Sequence, residues 1–220
     1  MPRNKYPEET KLKILEAATK TFSEKGYEES TILDIVANME GLTRGAFYHH
    51  FKSKEDVLNE LLDKIFYDTN PFDVVSKRND LNGLQKIKLA MKLNFASIDD
   101  EYMDLRIAGI ALLQSPKFFM ENLNFNVTVA REWLYPLIEE GVADGSIVVK
   151  NPLLVAELTV VLFNYWLLPV IFSGNEEYIA KKAVMASEIL DSVGLNIIDD
   201  AVGESGLSYI GKMFEETIEK

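Results

Sequence analysis

The stretch 41-GLTRGAFYHHFKSKEDVL-58 decides the fold, because two helix starts lie close together in it. Its residue types predict a short helix from about Thr43 to His50. Ser53-x-x-Asp56 then has the spacing of a capping box, in which a hydroxyl and a carboxylate satisfy free N–H groups at a helix start. The stretch therefore predicts a short helix that is followed at once by another helix.

Two further helices are predicted before this stretch. Apolar residues between positions 7 and 25 recur with helical spacing, and Gly26 follows where a left-handed cap is preferred. Thr31-x-x-Asp34 is a second capping-box spacing, and the helix that it opens runs to about Asn38. The N-terminal part is therefore predicted to contain three compact helices and a fourth helix that leaves them.

The remainder of the sequence also has helical spacing, interrupted by Gly, Asn-Pro and Ser-Pro turns. The predicted helical segments are about 81–98, 101–113, 117–144, 152–172, 176–193 and 205–219. Alternation of the kind expected for a strand is limited to Ile147–Val149, which is too short to indicate a sheet. The predicted fold class is all-α, with a small N-terminal domain at residues 1–53 and a larger helical domain at residues 54–220.

Charge is distributed unevenly along the 220 residues. The net charge is −12 and the pI is near 4.7, whereas nucleic-acid binders usually carry a basic face. Residues 1–54 contain nine Lys/Arg and eight Asp/Glu, for +1, which leaves −13 for residues 55–220. An acidic C-terminal part would repel DNA phosphates and so orient the nearly neutral N-terminal part toward them. The negative net charge of the whole chain therefore does not exclude DNA binding.

Composition excludes several classes of protein. The chain has no cysteine, so it has no disulfide, thiolate nucleophile or thiolate metal site. The start, MPRNKYPEET, lacks the apolar segment of a signal peptide. The apolar run 158–172 contains Asn164 and Pro169 and is shorter than the roughly 20 residues that a membrane span needs. We therefore expect a cytoplasmic protein without a membrane segment, in which this run forms a buried helix.

Two short helices joined by a glycine-containing turn are the helix-turn-helix arrangement, whose second helix enters the major groove of DNA. Arg44, at the start of that helix, can donate to O6 and N7 of a guanine. Gly45 and Ala46 are small enough for the backbone to approach the base edges. Phe47 and Phe51 are predicted to pack in the core.

Phosphate contacts fix the register of such a reader on the duplex, and several side chains could supply them. The predicted donors are Tyr48, His49, Lys52 and Lys54. Thr31, at the start of the preceding helix, is a further candidate, because N–H groups at a helix start can receive a phosphate. Thr43 completes the predicted DNA-binding set.

Here the sequence resembles a known family. Residues 10-TKLKILEAATKTFSEKGYEESTILDI-35, followed by residues 41–58, are similar to the DNA-binding region of the TetR (tetracycline-repressor-like) family of bacterial transcription regulators. The shared motifs are Ile-Leu-x-Ala-Ala, Phe22, Gly26-Tyr27, Thr-Arg-Gly-Ala-Phe-Tyr and His-Phe-Lys-Ser-Lys. The resemblance implies an N-terminal three-helix reader of DNA and a mainly helical C-terminal half that dimerises and encloses a ligand pocket.

The chain departs from the family pattern in one place. The segment 34-DIVANMEG-41 has one residue more than usual between Ile35 and the glycine. Either the turn is longer by one residue, or the second helix is shifted so that Ala37 takes the usual alanine position. Leu33 lies where some relatives have a polar reader of bases, which would leave more of the specificity to Arg44.

Aromatic and sulfur-containing residues of the second half are candidates for a ligand pocket, with ordinary core packing as the alternative for each. The candidates are Met91, Phe95, Met103, Trp133 and Trp166. Because aromatic rings and carboxylates stabilise cations, the surplus of acid favours a neutral or cationic lipophilic ligand. The apolar runs at 152–172 and 176–193 are the candidate homodimer face, since a two-fold interface uses the same patch on both subunits.

The predicted function is a ligand-responsive repressor that a small molecule releases from a palindromic operator in double-stranded DNA. The alternative is a protein–protein adaptor that has lost DNA reading. A metal site at His49 and His50 is disfavoured, because helix neighbours point about 100° apart and the chain has no third histidine. No clustered nucleophile, metal-ligand set or glycine-rich phosphate loop is found, so neither catalytic residues nor a cofactor are predicted.

Overall fold

A computed structural model describes residues 7–64, 70–96, 113, 115–168 and 171–218. Within these ranges every regular element is a helix, and the predicted all-α fold class is confirmed. Met103, a predicted ligand contact, and residues 101–112 of one predicted helix lie outside the described residues.

The chain divides into two compact units. The first comprises residues 1–69 and 104–119, and the second comprises residues 70–103 and 120–220. The helix that follows Ser53 was assigned from sequence to the larger domain, whereas it is part of the first structural unit. A structural unit is not by itself a functional domain, so the boundary between residues 53 and 54 stays a prediction.

Four helices form the described N-terminal part of the first unit. They are α1 (Pro7–Lys25), α2 (Ile32–Asn38), α3 (Arg44–His50) and α4 (Lys54–Asp63). The side-chain oxygens of Thr31, Thr43 and Ser53 each accept a backbone N–H three residues further on, of which the caps at Thr31 and Ser53 were predicted. The predicted capping box is complete at Thr31, whereas the carboxylate of Asp56 accepts the N–H of Lys52 instead of that of Ser53. Gly26 closes α1 at φ +79°, a conformation that costs glycine little.

The apolar faces of these helices enclose a small core. Its fully buried side chains include Ile14, Leu15, Phe22, Ile35, Phe47, Leu58 and Leu61. The ring of Tyr27 lies edge-on to Phe22 at 5.2 Å between centroids, which holds the start of the following loop against α1. Asn38 Nδ2 donates to Thr21 Oγ1 over 2.9 Å and fixes the end of α2.

The second unit contains the remaining described helices. They are α5 (Pro71–Ser76), α6 (Gly83–Ala96), α7 (Pro116–Thr128, of which the first residues belong to the first unit), α8 (Tyr135–Asp144), α9 (Pro152–Val161), α10 (Glu176–Ser192) and α11 (Asp200–Ile218). A π-helical segment, Val129–Leu134, joins α7 to α8. A second one, Leu162–Trp166, continues α9.

Two helix boundaries and one missed helix are the main differences from the sequence prediction. The helix predicted at 152–172 ends at Trp166 in the structure, and Leu168, which precedes a proline, is disfavoured in a helix. The helix predicted from 205 begins at Asp200, because Asp199 Oδ1 accepts the N–H of Val202 over 3.0 Å. Helix α5 was missed altogether.

Helices α6 and α8 approach each other closely in the core of the second unit. A Cβ added at Gly83 would lie 2.2 Å from the backbone nitrogen of Gly141. The N–H of Gly83 donates to Asp144 Oδ2 over 2.8 Å, and buried Lys86 pairs with Glu140 over 2.6 Å. Glycine at these positions therefore allows two backbones to pack with their polar groups satisfied. Among the described helices, none has the length and apolar character needed to cross a membrane.

Candidate nucleic-acid interface

The turn between α2 and α3 settles how the extra residue is accommodated. Met39 is buried, its N–H donates to Val36 O, and its own carbonyl accepts the N–H of Leu42 over 3.2 Å. Gly41 comes next in the turn and adopts the left-handed conformation, with φ +71°. Ile35 is fully buried and Ala37 is exposed, so α2 keeps Ile35 in the core and the turn takes up the additional residue.

Arg44 and Tyr48 form an exposed pair on α3. Nη2 of Arg44 lies 3.4 Å from the hydroxyl of Tyr48, and the guanidinium carbon is 5.4 Å from the ring centroid. The Tyr48 ring packs edge-on against buried Phe47, while 45% of Tyr48 remains exposed. Packing on one side and stacking on the other restrict both side chains, which reduces the entropy lost when they bind a partner.

The hydroxyls of Thr31 and Thr43 are engaged in helix caps. Thr43 Oγ1 accepts the N–H of Ala46 over 3.3 Å. Thr31 Oγ1 accepts the N–H of Asp34 and donates to its carboxylate over 2.6 Å. Hydrogen bonds from Lys25 and then from Thr31 lower the pKa of Asp34 to about 2. Both threonines therefore stabilise the starts of α2 and α3.

The remaining predicted DNA-binding residues of α3 lie on its accessible side. Gly45 and His49 are exposed, and Ala46 is half-buried. The rings of His49 and His50 meet edge-on at 5.1 Å between centroids. Burial, and then the neighbouring His49, lower the pKa of His50 below its ordinary value. The neutral form of His50 is therefore favoured, which fits a packing role.

Lys52 and Lys54, two residues apart, have different environments. Lys52 is exposed, and its ammonium has no partner among the described residues. Lys54 Nζ instead donates to three backbone carbonyls, those of Tyr27 (2.6 Å), Ser30 (2.9 Å) and Glu28 (3.2 Å). An ammonium has three N–H donors, so those of Lys54 are all used within the protein. The predicted phosphate contacts of Lys52 and Lys54 both stay predictions.

The described members of the predicted ligand set all lie in the second unit. Trp133 lies between Phe72 and Phe125, at 5.9 and 5.5 Å between ring centroids. Met91 and Trp166 pack against the same apolar core. Phe95, one turn after Met91 on α6, lies 5.8 Å from Tyr209 between ring centroids.

Sequence reasoning missed a buried amide cluster in this unit. Asn126 is 2% exposed, donates to Asn122 and accepts a hydrogen bond from Asn164 Nδ2. Tyr165 adds its hydroxyl, 3.5 Å from the carbonyl of Asn122. The signal was present, since Asn164 interrupts the apolar run 158–172, but its partner is distant in sequence.

A metal centre is not evident in the described ranges, because no three His, Asp or Glu side chains are arranged there to hold an ion. The first unit thus presents two short helices, a tight turn and an exposed arginine–tyrosine pair. Together they define a helix-turn-helix protein of the all-α class.

Residues 14–61 match the profile of bacterial regulatory proteins of the tetR family. These residues therefore form a domain of the tetR family. It is 32% identical over 143 residues to the transcriptional repressor KstR2 of Mycolicibacterium smegmatis, a match that covers 60% of this chain and 65% of that protein. It is 41% identical over 58 residues to the regulator TtgR of Pseudomonas putida, covering 26% of this chain and 27% of TtgR.

Solved structures share the fold over most of the chain. A TetR-family regulator from Agrobacterium tumefaciens aligns with a TM-score of 0.62 and 18% identity, over 86% of this chain and 99% of that one. A γ-butyrolactone receptor (ArpA-like protein) aligns with a TM-score of 0.59 and 19% identity, over 96% and 98%. The matches to KstR2 and TtgR each span less than two thirds of those proteins, so the likeness over the second unit concerns the fold alone.

Proposed function

We propose that the protein is a DNA-binding transcriptional regulator, a repressor that a small-molecule ligand releases from a palindromic operator. The observation that carries this proposal is the exposed Arg44–Tyr48 pair on the second helix of a helix-turn-helix within the tetR-family match. An arginine fork at the start of a recognition helix suits bidentate contact with a guanine in the major groove.

The proposed roles of the DNA-binding residues follow from their surroundings. Arg44 reads a base, and Tyr48, His49 and Lys52 contact phosphate from accessible positions. Gly45 and Ala46 present little bulk, so the backbone of α3 can approach the base edges. Thr31 and Thr43 hold the two helix starts in place through their caps.

We propose a homodimer through the predicted helical segments 152–172 and 176–193. Exposed large apolar side chains lie on both of their observed helices, at Leu154, Val161, Val184 and Met185. Burying such side chains against a second copy would remove them from water, and a two-fold axis repeats the patch. Two recognition helices must then be about 34–36 Å apart to enter successive major grooves.

The proposed effector is lipophilic and neutral or cationic, and it contacts the predicted set Met91, Phe95, Met103, Trp133 and Trp166. The aromatic surroundings of Trp133 support this class of ligand. If the effector binds more tightly to a dimer whose two recognition helices have the wrong spacing for DNA, it weakens DNA binding. DNA then weakens effector binding by the same factor. We propose no enzymatic activity, and we place the protein in the cytoplasm because its proposed partner, the bacterial chromosome, is there.

Selection of bound fragments from random DNA by the full-length protein tests the proposal. We expect a palindromic consensus, and loss of preference at one base pair per half-site for Arg44→Ala. Arg78→Ala is the matched control, because Arg78 is exposed but pairs with Asp80 in the second unit. Failure of the wild type to select any DNA at low salt would favour the adaptor instead.

A further inference from the structure

Two buried lysines of the second unit have different surroundings. Lys86 and Lys182 are each 4% exposed. The ammonium of Lys86 pairs with the carboxylate of Glu140 over 2.6 Å, which offsets the cost of removing a charge from water. Lys182 has no carboxylate partner in the described ranges, and its Nζ donates to the carbonyl of Trp166. The burial of Lys182 is therefore not explained by a group of opposite charge.

Three aromatic rings surround the amine of Lys182. The ring centroids of Phe172, Trp166 and Tyr178 lie 4.8, 5.1 and 5.7 Å from Nζ. Ring faces stabilise a cation, but they are weaker hydrogen-bond acceptors than a carbonyl oxygen. The amine thus lies among apolar groups, with one carbonyl as its hydrogen-bond acceptor in the described part of the chain.

The amine keeps hydrogen-bonding capacity that the described residues do not use. An ammonium has three N–H donors, and the described residues supply no second acceptor beside Trp166 O. Burial lowers the pKa of Lys182, and a neutral amine would still keep one donor after this bond. Because a buried donor without an acceptor costs free energy, an acceptor supplied by a bound molecule would be held favourably.

The acidic residues at the start of α10 do not supply this acceptor. Glu177 pairs with exposed Lys181 over 2.7 Å. Glu176 is directed toward α11, where its Oε1 would lie 4.0 Å from a Cβ added at Gly211. Two neighbouring lysines of α10 therefore differ, since Lys181 is exposed and paired, whereas Lys182 is buried and has no carboxylate partner in the described ranges.

Two of the three rings lie at the surface. Phe172 and Tyr178 are each 49% exposed, so solvent borders the site. Tyr178 also lies against Gly174, where an added Cβ would be 2.2 Å from Cδ1 of the ring. The position of Tyr178 therefore depends on a glycine in the preceding loop. A lipophilic molecule that packs on these rings can place an acceptor at Lys182.

We propose that Lys182 and its three rings form a binding site for a lipophilic molecule that carries a carbonyl oxygen. This oxygen accepts a hydrogen bond from Nζ, and the apolar part of the molecule packs on the rings of Trp166, Phe172 and Tyr178. Ketones, esters, amides and carboxylates share such an acceptor. A cationic molecule is disfavoured, because its charge would lie beside that of Lys182.

Where the bound molecule is taken to be the effector, this inference rests on the proposed function, since Trp166 belongs to both sets of residues. Of the neutral and cationic effectors proposed above, the surroundings of Lys182 favour neutral ones with a carbonyl, and they also admit an anion. Purified protein can be tested for such binding without DNA, so the site and the proposed function can fail separately.

Four naphthalene derivatives of matched size test the site by saturation-transfer NMR titration of the full-length protein. Acetylnaphthalene has a neutral carbonyl, naphthoate a carboxylate, ethylnaphthalene no acceptor and naphthylmethylammonium a positive charge. We expect acetylnaphthalene, naphthoate or both to bind about tenfold more tightly than ethylnaphthalene, as one hydrogen bond from a buried amine allows. The tighter of the two identifies the class of acceptor. Naphthylmethylammonium should bind more weakly than either.

Variants assign the preference to the amine. Lys182→Met keeps an apolar side chain of similar length but removes the donor, so it should abolish the roughly tenfold preference for a carbonyl and leave ethylnaphthalene unaffected. Lys181→Met is the matched control and should alter none of the four affinities. Gly174→Ala displaces the Tyr178 ring, so it should weaken every probe that the wild type binds and retain the preference for a carbonyl.

Several results would overturn the inference. These are equal binding of acetylnaphthalene, naphthoate and ethylnaphthalene by the wild type, tighter binding of the cation, or no binding of any probe. A preference for a carbonyl that persists in Lys182→Met would place the acceptor elsewhere and overturn it as well. If Lys182→Met does not fold, the affinities of the wild type and Gly174→Ala decide. A wild type that prefers the carbonyl but selects no DNA would retain the site and refute the proposed function.

Discussion

Arg44 and Tyr48 lie one turn apart on α3, with the guanidinium carbon 5.4 Å from the ring centroid and one of its nitrogens 3.4 Å from the phenol oxygen. Because each side chain restricts the other, this exposed pair is already oriented in the unbound protein. The first prediction concerns the separate roles of Arg44 and Tyr48 in DNA binding.

Arg44→Ala should cost about 1–3 kcal/mol at one base pair per half-site and leave the other positions unaffected. Tyr48→Phe keeps the ring that stacks on Arg44 but removes the hydroxyl, so it should weaken binding to all sequences by a similar factor. Fluorescence anisotropy with operator variants measures both. A uniform loss in Arg44→Ala would contradict a base-reading role.

Replacing Gly83 by alanine should destabilise the protein strongly. The new Cβ would lie 2.2 Å from Gly141 N and 2.6 Å from the carbonyl oxygen of Leu137, both of which are backbone atoms. Overpacking of this kind costs about 1–3 kcal/mol or more. Gly203→Ala is the control, since its nearest neighbour is Ile198 at 3.9 Å, and in a helix it should be neutral or stabilising. Urea unfolding of both variants checks the prediction.

The free energy of unfolding at acidic pH should depend on Asp34. Its pKa in the folded protein is about 2, below the ordinary value of 3.8, chiefly because Lys25 and then Thr31 donate to it. A carboxyl with a lowered pKa stabilises the fold above pH 3.8, and this contribution is lost as the pH falls toward 2. The difference in unfolding free energy between wild type and Asp34→Asn should therefore shrink over that window. A difference independent of pH would contradict the ion pair.

Lys182 should make the free energy of unfolding increase as the pH rises into the alkaline range. It is 4% exposed, donates to the carbonyl of Trp166, and is surrounded by Trp166, Phe172 and Tyr178 at 4.8–5.7 Å. Burial lowers its pKa below 10.5, so the neutral amine is favoured in the fold.

Because the unfolded chain binds this proton more tightly, the unfolding free energy of the wild type should increase relative to Lys182→Met as the pH rises toward 10.5. Denaturant titrations of both proteins at several pH values measure the difference. A relative decrease over that range would show that the rings and the carbonyl hold the charged form instead.

The proposed dimer face predicts the effect of a buried charge. Val184→Glu on α10 should shift the protein from dimer to monomer, because an unpaired carboxylate would lie in an apolar interface. Val148→Glu is the control, since Val148 is 80% exposed in the loop after α8. Light scattering coupled to gel filtration distinguishes the two states. A dimer that persists in Val184→Glu would place the interface elsewhere.

The N-terminal helices were predictable because their signals are local. Capping-box spacing at Thr31 and Ser53 indicates two helix starts, and each hydroxyl accepts the N–H of the residue three positions later. Gly26 likewise marks the end of α1. Capping and periodicity involve residues within one turn of each other, so one sequence suffices to recognise them.

The features that sequence reasoning missed are contacts between distant residues. Lys54 was predicted to contact phosphate, but the hydrogen bonds from its ammonium to carbonyls more than twenty residues earlier were not foreseen. Asn126 and Asn164 meet across two helices in the same way. No periodic pattern reports which polar groups a fold brings together, so these roles required coordinates.

The π-helical segment at Leu162–Trp166 has a consequence for how related chains diverge. Such a turn contains one residue more than an α-helical turn, and each helical residue advances the side-chain direction by about 100°. A chain without that residue would present Trp166, the last residue of the segment, on a different face of the helix. If the proposed effector contacts Trp166, a single deletion in this turn would change its binding without replacing any residue.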